Sequence, residues 1–141
     1  MACPEDNGEA ILVVDERRIT GDSLGLILRD RGYHVSVVYN AHEALTEMQT
    51  GGFDLAIAYM EVPTGDKLEL LRQIKQQDAD IVVIMTTDYP TLETVIKAIR
   101  YNAYAYLIKP LEKTDEMLAI VREGLRRRRS LLAGRRGGMS T

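Results

Sequence analysis

The feature that most constrains this chain is a fivefold alternation of short apolar runs with amphipathic stretches. The runs span 10–14, 35–39, 55–60, 81–85 and 104–108, each rich in Val, Ile, Leu, Ala or Tyr and bounded by polar or turn residues. Near-continuous apolar runs of this length suit strands covered on both faces. Helical spacing fills the gaps. Over 19–31 it sets Leu24, Ile27 and Leu28 on one face, closed by Gly32, and over 41–50 it turns Ala44, Leu45 and Met48 inward, with Gly51-Gly52 as the stop. Over 67–77 it aligns Leu68, Leu71 and Ile74, and over 92–101 Val95, Ile96 and Ile99. Thr114 is an expected N-cap for a fifth helix, with Asp115 and Glu116 in the first turn.

Five strand–helix units in this order predict an α/β domain of three layers. The expected architecture is (βα)5, a doubly wound parallel sheet of five strands with right-handed crossovers and helices on both faces. The domain is expected over 10–125. Residues 1–9 carry Pro, Asn, Gly and three acids without periodicity and read as disordered. Residues 126–141 read as a basic tail, a helix extension or a linker.

Composition narrows the function classes. Apolar residues make up 45% of the 141, enough for a full core. The single cysteine, Cys3, forms no disulfide within the chain, which fits a reducing compartment. The early apolar run is too short for a signal peptide or membrane span, so a soluble cytoplasmic protein with no membrane partner is expected. The net charge of −3 conceals an asymmetry, because residues 1–121 sum to −9 and residues 122–141 to +6.

Sites in doubly wound folds lie beyond the carboxyl ends of the strands, at the switch point of strand order. Asp15 and Glu16 follow the first run, Tyr59 closes the third, Thr86 follows the fourth and Lys109-Pro110 follows the fifth. Paired acids hold Mg²⁺ through oxygen, while a Thr hydroxyl and a Lys ammonium hold phosphoryl oxygens. The set suits phosphoryl transfer, except that it lacks an acid to act as nucleophile. No Gly-x-x-x-x-Gly-Lys loop or Gly-x-Ser-x-Gly elbow is present. The run Asp15-Glu16-Arg17 also lacks the second Asp, two residues on, that haloacid-dehalogenase-type phosphatases need.

Residues 10–125 resemble the receiver domain of response regulators (CheY-like, flavodoxin-like fold). The resemblance rests on Ile11-Leu12-Val13-Val14-Asp15-Glu16, on Gly32-Tyr33, on Phe53-Asp54-Leu55 through Pro63, on Ile84-Met85-Thr86-Thr87, and on Tyr104-Ala105-Tyr106-Leu107-Ile108-Lys109-Pro110. It implies a two-component phosphorelay module, not an enzyme, in which an aspartate four residues before the Pro accepts phosphate. Counting back from Pro63 gives Tyr59. The resemblance therefore implies a degenerate phosphoacceptor position and a pseudo-receiver. It also assigns Thr86 and Tyr106 as a switch pair and Lys109 as the phosphate-site lysine. Lys67 departs from the Gly usual in that loop, and Glu16 is a tolerated variant of the acidic pair. Asp54 opens its strand, roughly 16 Å from the site edge. Glu61 lies past the strand end.

A phenol with a reference pKa of about 10 adds no charge at neutral pH where Asp, at about 3.9, would. No cofactor is expected, and Mg²⁺ binds weakly or not at all, with Asp15, Glu16 and Glu61 as candidate ligands. The Tyr59 hydroxyl is expected to donate to Asp15 or Glu16, and Lys109 to pair with one of them. Three readings of Tyr59 remain: a packing residue, a plug that sets the domain's state, or a modified tyrosine. The resemblance places partners, including a histidine kinase, another signalling protein or a missing output domain, on the face of the fourth helix, fifth strand and fifth helix. That face includes Ile96, Arg100, Tyr101, Tyr104 and Tyr106, expected as exposed tyrosines beside arginine, and admits a homodimer. The alternatives are a phosphorylatable receiver with a non-standard acceptor and Mg²⁺, or a regulator whose tail Arg126–Arg129 contacts nucleic acid. Nucleic acid is the weaker reading, because no recognition motif accompanies the tail.

Overall fold

The strand–helix alternation is realised in the computed structural model, which describes residues 8–59, 69–88, 91–109 and 114–140, the last six as backbone. The strands are β1 Ala10–Val14, β2 His34–Val38, β3 Leu55–Tyr59, β4 Val82–Thr87 and β5 Ala105–Ile108. The helices are α1 Arg18–Asp30, α2 Ala41–Thr50, α3 Glu69–Gln77, α4 Leu92–Arg100 and α5 Thr114–Ser140. All four pairings are parallel, in the order β2-β1-β3-β4-β5. The order reverses between β1 and β3, which is where a site belongs in such a sheet. Glu61, Pro63, Lys67, Leu68 and Pro110 lie outside the described residues.

Alternate residues of the central strands feed two cores. Leu12, Val14, Ala56, Ala58, Val83 and Met85 pack with Ala44, Met48, Leu71 and Ile74 of α2 and α3. Ile11, Val13, Leu55, Ile57 and Ile84 pack on the other face with Leu24 and Leu28 of α1 and Met117, Val121 and Leu125 of α5. Both faces of β3 are therefore covered, which is why it reads as one unbroken apolar run. Helix α1 lies close on the sheet because Gly21 and Gly25 face it. A Cβ on Gly25 would meet Val37 Cγ2 at 2.7 Å, and one on Gly21 would crowd the Asp15 Cβ at 3.3 Å. Gly32 and Gly51 end α1 and α2 at φ +94° and +78°, a region that favours glycine.

Three expectations change. The strands shift by a residue or two, β4 most, gaining Thr86 and Thr87 at its carboxyl end. Helix α4 buries only Ala98 fully, while Leu92, Ile96 and Ile99 are 77%, 45% and 67% exposed. Its apolar stripe is real, but much of it faces solvent. Glu9 is ordered rather than disordered: its carbonyl accepts from His34 N at 3.0 Å, extending the β1–β2 ladder by a residue.

The basic tail is the C-terminal part of α5, and part of it is fastened to the domain. Arg128 is 13% exposed, with Nε 3.3 Å from Asp54 Oδ1 and Nη2 3.7 Å from Asp78 Oδ2. Arg129 Nη1 lies 3.4 Å from Glu9 Oε1. Asp54 also accepts from Ala10 N at 2.9 Å, so one carboxylate joins the starts of β1 and β3 to α5. Arg128→Ala is expected to lower unfolding free energy by about 1–3 kcal/mol, less than a fully buried pair because both acids keep some solvent. Urea denaturation checks this, and a loss under about 0.5 kcal/mol would show the clasp to be incidental.

Candidate functional site

The register brings the expected site residues to one edge. Val14 pairs with Ala58, Tyr59 with Thr86, and Thr86 with Leu107. Asp15, Tyr59, Thr86 and Lys109 thus converge where β1, β3, β4 and β5 end. All four are buried: Asp15 is 3% exposed, Tyr59 1%, Thr86 2% and Lys109 8%. Glu16 turns outward and is exposed, so the acidic pair is split between pocket and solvent.

Lys109 Nζ pairs with Asp15 Oδ2, as expected of one of the two acids. Asp15 Oδ1 accepts from Arg17 N at 2.9 Å, so both carboxylate oxygens are engaged within the chain. The Tyr59 hydroxyl corrects the expectation. It donates to Asp88 Oδ2 at 2.9 Å rather than to Asp15 or Glu16. The ring comes from the end of β3, and its oxygen reaches the residue that follows β4.

Two cations sit against the Tyr59 ring. Lys109 Nζ is 4.0 Å from the ring centroid and the Arg17 guanidinium carbon 5.6 Å. Arg17 also pairs with Asp88 at 2.7 Å. A neutral ring thus attracts through its quadrupole the cations that a carboxylate would attract by charge. Asp15 and Asp88 are balanced by Lys109 and Arg17. Arg17 is held above its ordinary pKa, first by the nearby Tyr59 oxygen and then by Asp88.

Asp88 and Arg17 escaped the sequence reading. Both lie just past a strand's carboxyl end, where the site rule points. Neither belongs to a motif, and their pairing joins two loops distant in the chain. A ring as buried as Tyr59 is also out of reach of a modifying enzyme without local opening, which counts against a modified tyrosine.

Tyr106 points its hydroxyl at Thr94 Oγ1, 3.0 Å away. Thr94 is half of the Thr91–Thr94 capping box that starts α4, so Tyr106 ties β5 to that helix start. On the expected partner face, Ile96 and Arg100 are exposed, but Tyr101, Tyr104 and Tyr106 are half-buried. Tyr101 and Tyr106 pack against one core and Tyr104 against the other, since a large ring beside a core gains more from burial than from water. Among the described residues no group of three His, Cys, Asp or Glu side chains is placed to hold a metal ion, and Glu61 lies outside them. No helix of the described residues is long and apolar enough to cross a membrane.

Comparison with known proteins agrees with this geometry. Residues 11–122 match the family described as response regulator receiver domain. The chain is 33% identical over 119 residues to the transcriptional regulatory protein ZraR of Salmonella typhimurium, a match covering 80% of this chain and 27% of that protein. It is 31% identical over 117 residues to the response regulator ArlR of Staphylococcus aureus, covering 83% of this chain and 52% of that protein. The chain therefore spans about a quarter to a half of these relatives' length. Among solved structures, a CheY-like receiver domain protein from Methanospirillum hungatei superposes with a TM-score of 0.84 at 28% identity, covering 88% of this chain and 98% of that one. The beryllofluoride-activated NtrC4 receiver domain dimer gives 0.76 at 29% identity, covering 84% and 98%. Family match, relatives and superposed structures agree, and the chain belongs to the response regulator receiver family of two-component signalling.

Proposed function

We propose that this receiver is a cytoplasmic, phosphorylation-independent protein-interaction module, a signalling part rather than an enzyme, whose pocket is closed by its own side chains. One observation carries the reading: Tyr59, at the end of β3, bonds to Asp88 beneath two cations, while Lys109 is committed to Asp15. An aspartate carboxylate attacks as an anion, whereas a phenol, with a reference pKa of about 10, needs a base to activate it at pH 7. The donor set also suits Mg²⁺ poorly. That ion demands near-octahedral oxygen ligands, whereas both Asp15 oxygens already accept hydrogen bonds and Arg17 lies alongside.

In this reading the signal passes through protein contacts. The exposed Leu92, Ile96 and Ile99 with Arg100 form an apolar face edged by charge, suited to a kinase, another signalling protein or an output domain. ZraR is a transcriptional regulatory protein and the activated NtrC4 receiver domain is a dimer, which support an output domain and a homodimer as candidates. The test is the intact mass of the full chain after incubation with acetyl phosphate and Mg²⁺. The expected result is an unmodified mass. A stoichiometric gain of one phosphoryl group, mapped to Glu61 or Asp88, overturns the proposal in favour of a non-standard acceptor.

A further inference from the structure

A second concave region lies at the opposite end of the sheet from Tyr59, at the amino edges of β4 and β5. It is a half-open cavity of about 410 Å³ between the end of α3, the α4–β5 turn and the far part of α5. Its floor is apolar, formed by Ile81, Val82 and Tyr104. Its lips are Ile99 from α4 and Leu131 from α5, 67% and 54% exposed. Two large aliphatic side chains held out to water across a groove are an unsatisfied apolar surface.

The groove is also cationic. Lys75, Arg127 and Arg128 line it against one acid, Asp80. Lys75 Nζ donates to the Ile81 carbonyl at 2.6 Å. Burial lowers its pKa, opposed by Asp78 and Asp80. Asp54 and Asp78 hold two nitrogens of Arg128, and its Nη1 is buried without a hydrogen-bond partner.

We infer that this groove docks an acidic amphipathic segment of a partner protein, with apolar side chains between Ile99 and Leu131 and carboxylates toward Lys75 and Arg127. The geometry matches a helix laid in a groove, read by apolar anchors at helical spacing. Charge selects the occupant. A phosphate backbone needs a row of outward cations. Here Arg128 and Arg129 are turned in to Asp54, Asp78 and Glu9, and Arg126 lies 3.4 Å from Glu123. Aliphatic lips also have no role on a phosphate backbone. The inference holds whether or not the pocket at Tyr59 takes phosphate.

The test uses the full chain, isotope-labelled for amide spectra, and a fluorescein-tagged peptide of leucines and glutamates at helical spacing. Controls are the same peptide with lysine for glutamate and a random-sequence DNA duplex. The acidic peptide is expected to bind, with shifts confined to the α4–β5 turn and residues 127–131. Arg127→Glu and Leu131→Asp, both at exposed positions, should each weaken it by about tenfold while leaving the circular dichroism unchanged. Arg126→Glu, outside the groove, should change affinity by less than about threefold. The inference is overturned by no shifts at millimolar peptide, by shifts elsewhere, by equal binding of the lysine peptide, or by tighter binding of DNA. Sedimentation showing that a second copy closes the groove also overturns it.

Discussion

Tyr59→Asp is expected to take up a phosphoryl group from acetyl phosphate in a Mg²⁺-dependent way, while the parent chain stays unmodified. The substitution puts a carboxylate beside Asp15 at the register position where β3 ends, and it removes the ring against which Arg17 and Lys109 rest. It also breaks the hydrogen bond to Asp88. Asp15 and the new acid then give the pocket two carboxylates, with Glu16 exposed at its rim, the kind of oxygen set that holds Mg²⁺. Without metal the variant is expected to be less stable by about 2–4 kcal/mol, since a ring 1% exposed is deleted and a second carboxylate must share Lys109 with Asp15. Mg²⁺ should raise the Tm of Tyr59→Asp and leave the parent unchanged, because an ion that binds only the folded form stabilises it. Intact mass and thermal melts with and without Mg²⁺ read both effects. Tyr59→Asn, which loses the ring without adding charge, should show neither. A folded Tyr59→Asp that ignores both reagents would mean that more than the acceptor has been lost from the pocket.

The second large effect is expected at Lys109. The side chains of Lys109 and Asp15 are 5% and 4% exposed, and they join the last strand to the first. Lys109→Met keeps most of the stem but leaves the Asp15 carboxylate buried without its cation, at an expected loss of about 3–5 kcal/mol. Replacing both, Lys109→Met with Asp15→Asn, should recover most of that, because the penalty lies in the unpaired charge rather than in the absence of the pair. Urea unfolding of the four members of this cycle gives the coupling directly. A single-variant loss below about 1 kcal/mol would show that Asp15 finds its compensation elsewhere, with Arg17 the first place to look.

The fold was largely legible because it depends on repetition. A buried parallel strand must be apolar on both faces, and a covering helix on one. Five such pairs in succession leave few other arrangements. The strand-end rule then located Asp15, Tyr59, Thr86 and Lys109 without coordinates. The rule failed in its details where direction matters. Periodicity found the apolar stripe of α4 through Ile96 and Ile99 but could not say that it points outward, since a stripe facing a core and one facing a partner read alike. Tyr101, Tyr104 and Tyr106 read as a surface set, yet their rings lie against the cores. The arginine run looked uniform, and only the packing of α5 against Asp54, Asp78 and Glu9 separates Arg128 and Arg129 from Arg126 and Arg127.

The alternation, the parallel sheet and the phenol at the end of the third strand depend on local period and on counting along one chain, and so are legible in the residues alone. What that phenol does depends on the folded arrangement. Its hydroxyl reaches Asp88 instead of Asp15 because a ring's reach is longer than a carboxylate's and is set by the loop facing it, 29 residues away in the chain. Arg17 joins the same group through a salt bridge across two loops. Pairings between distant segments are fixed by how strand ends are stacked side by side, and the spacing of residues along the chain carries no record of them.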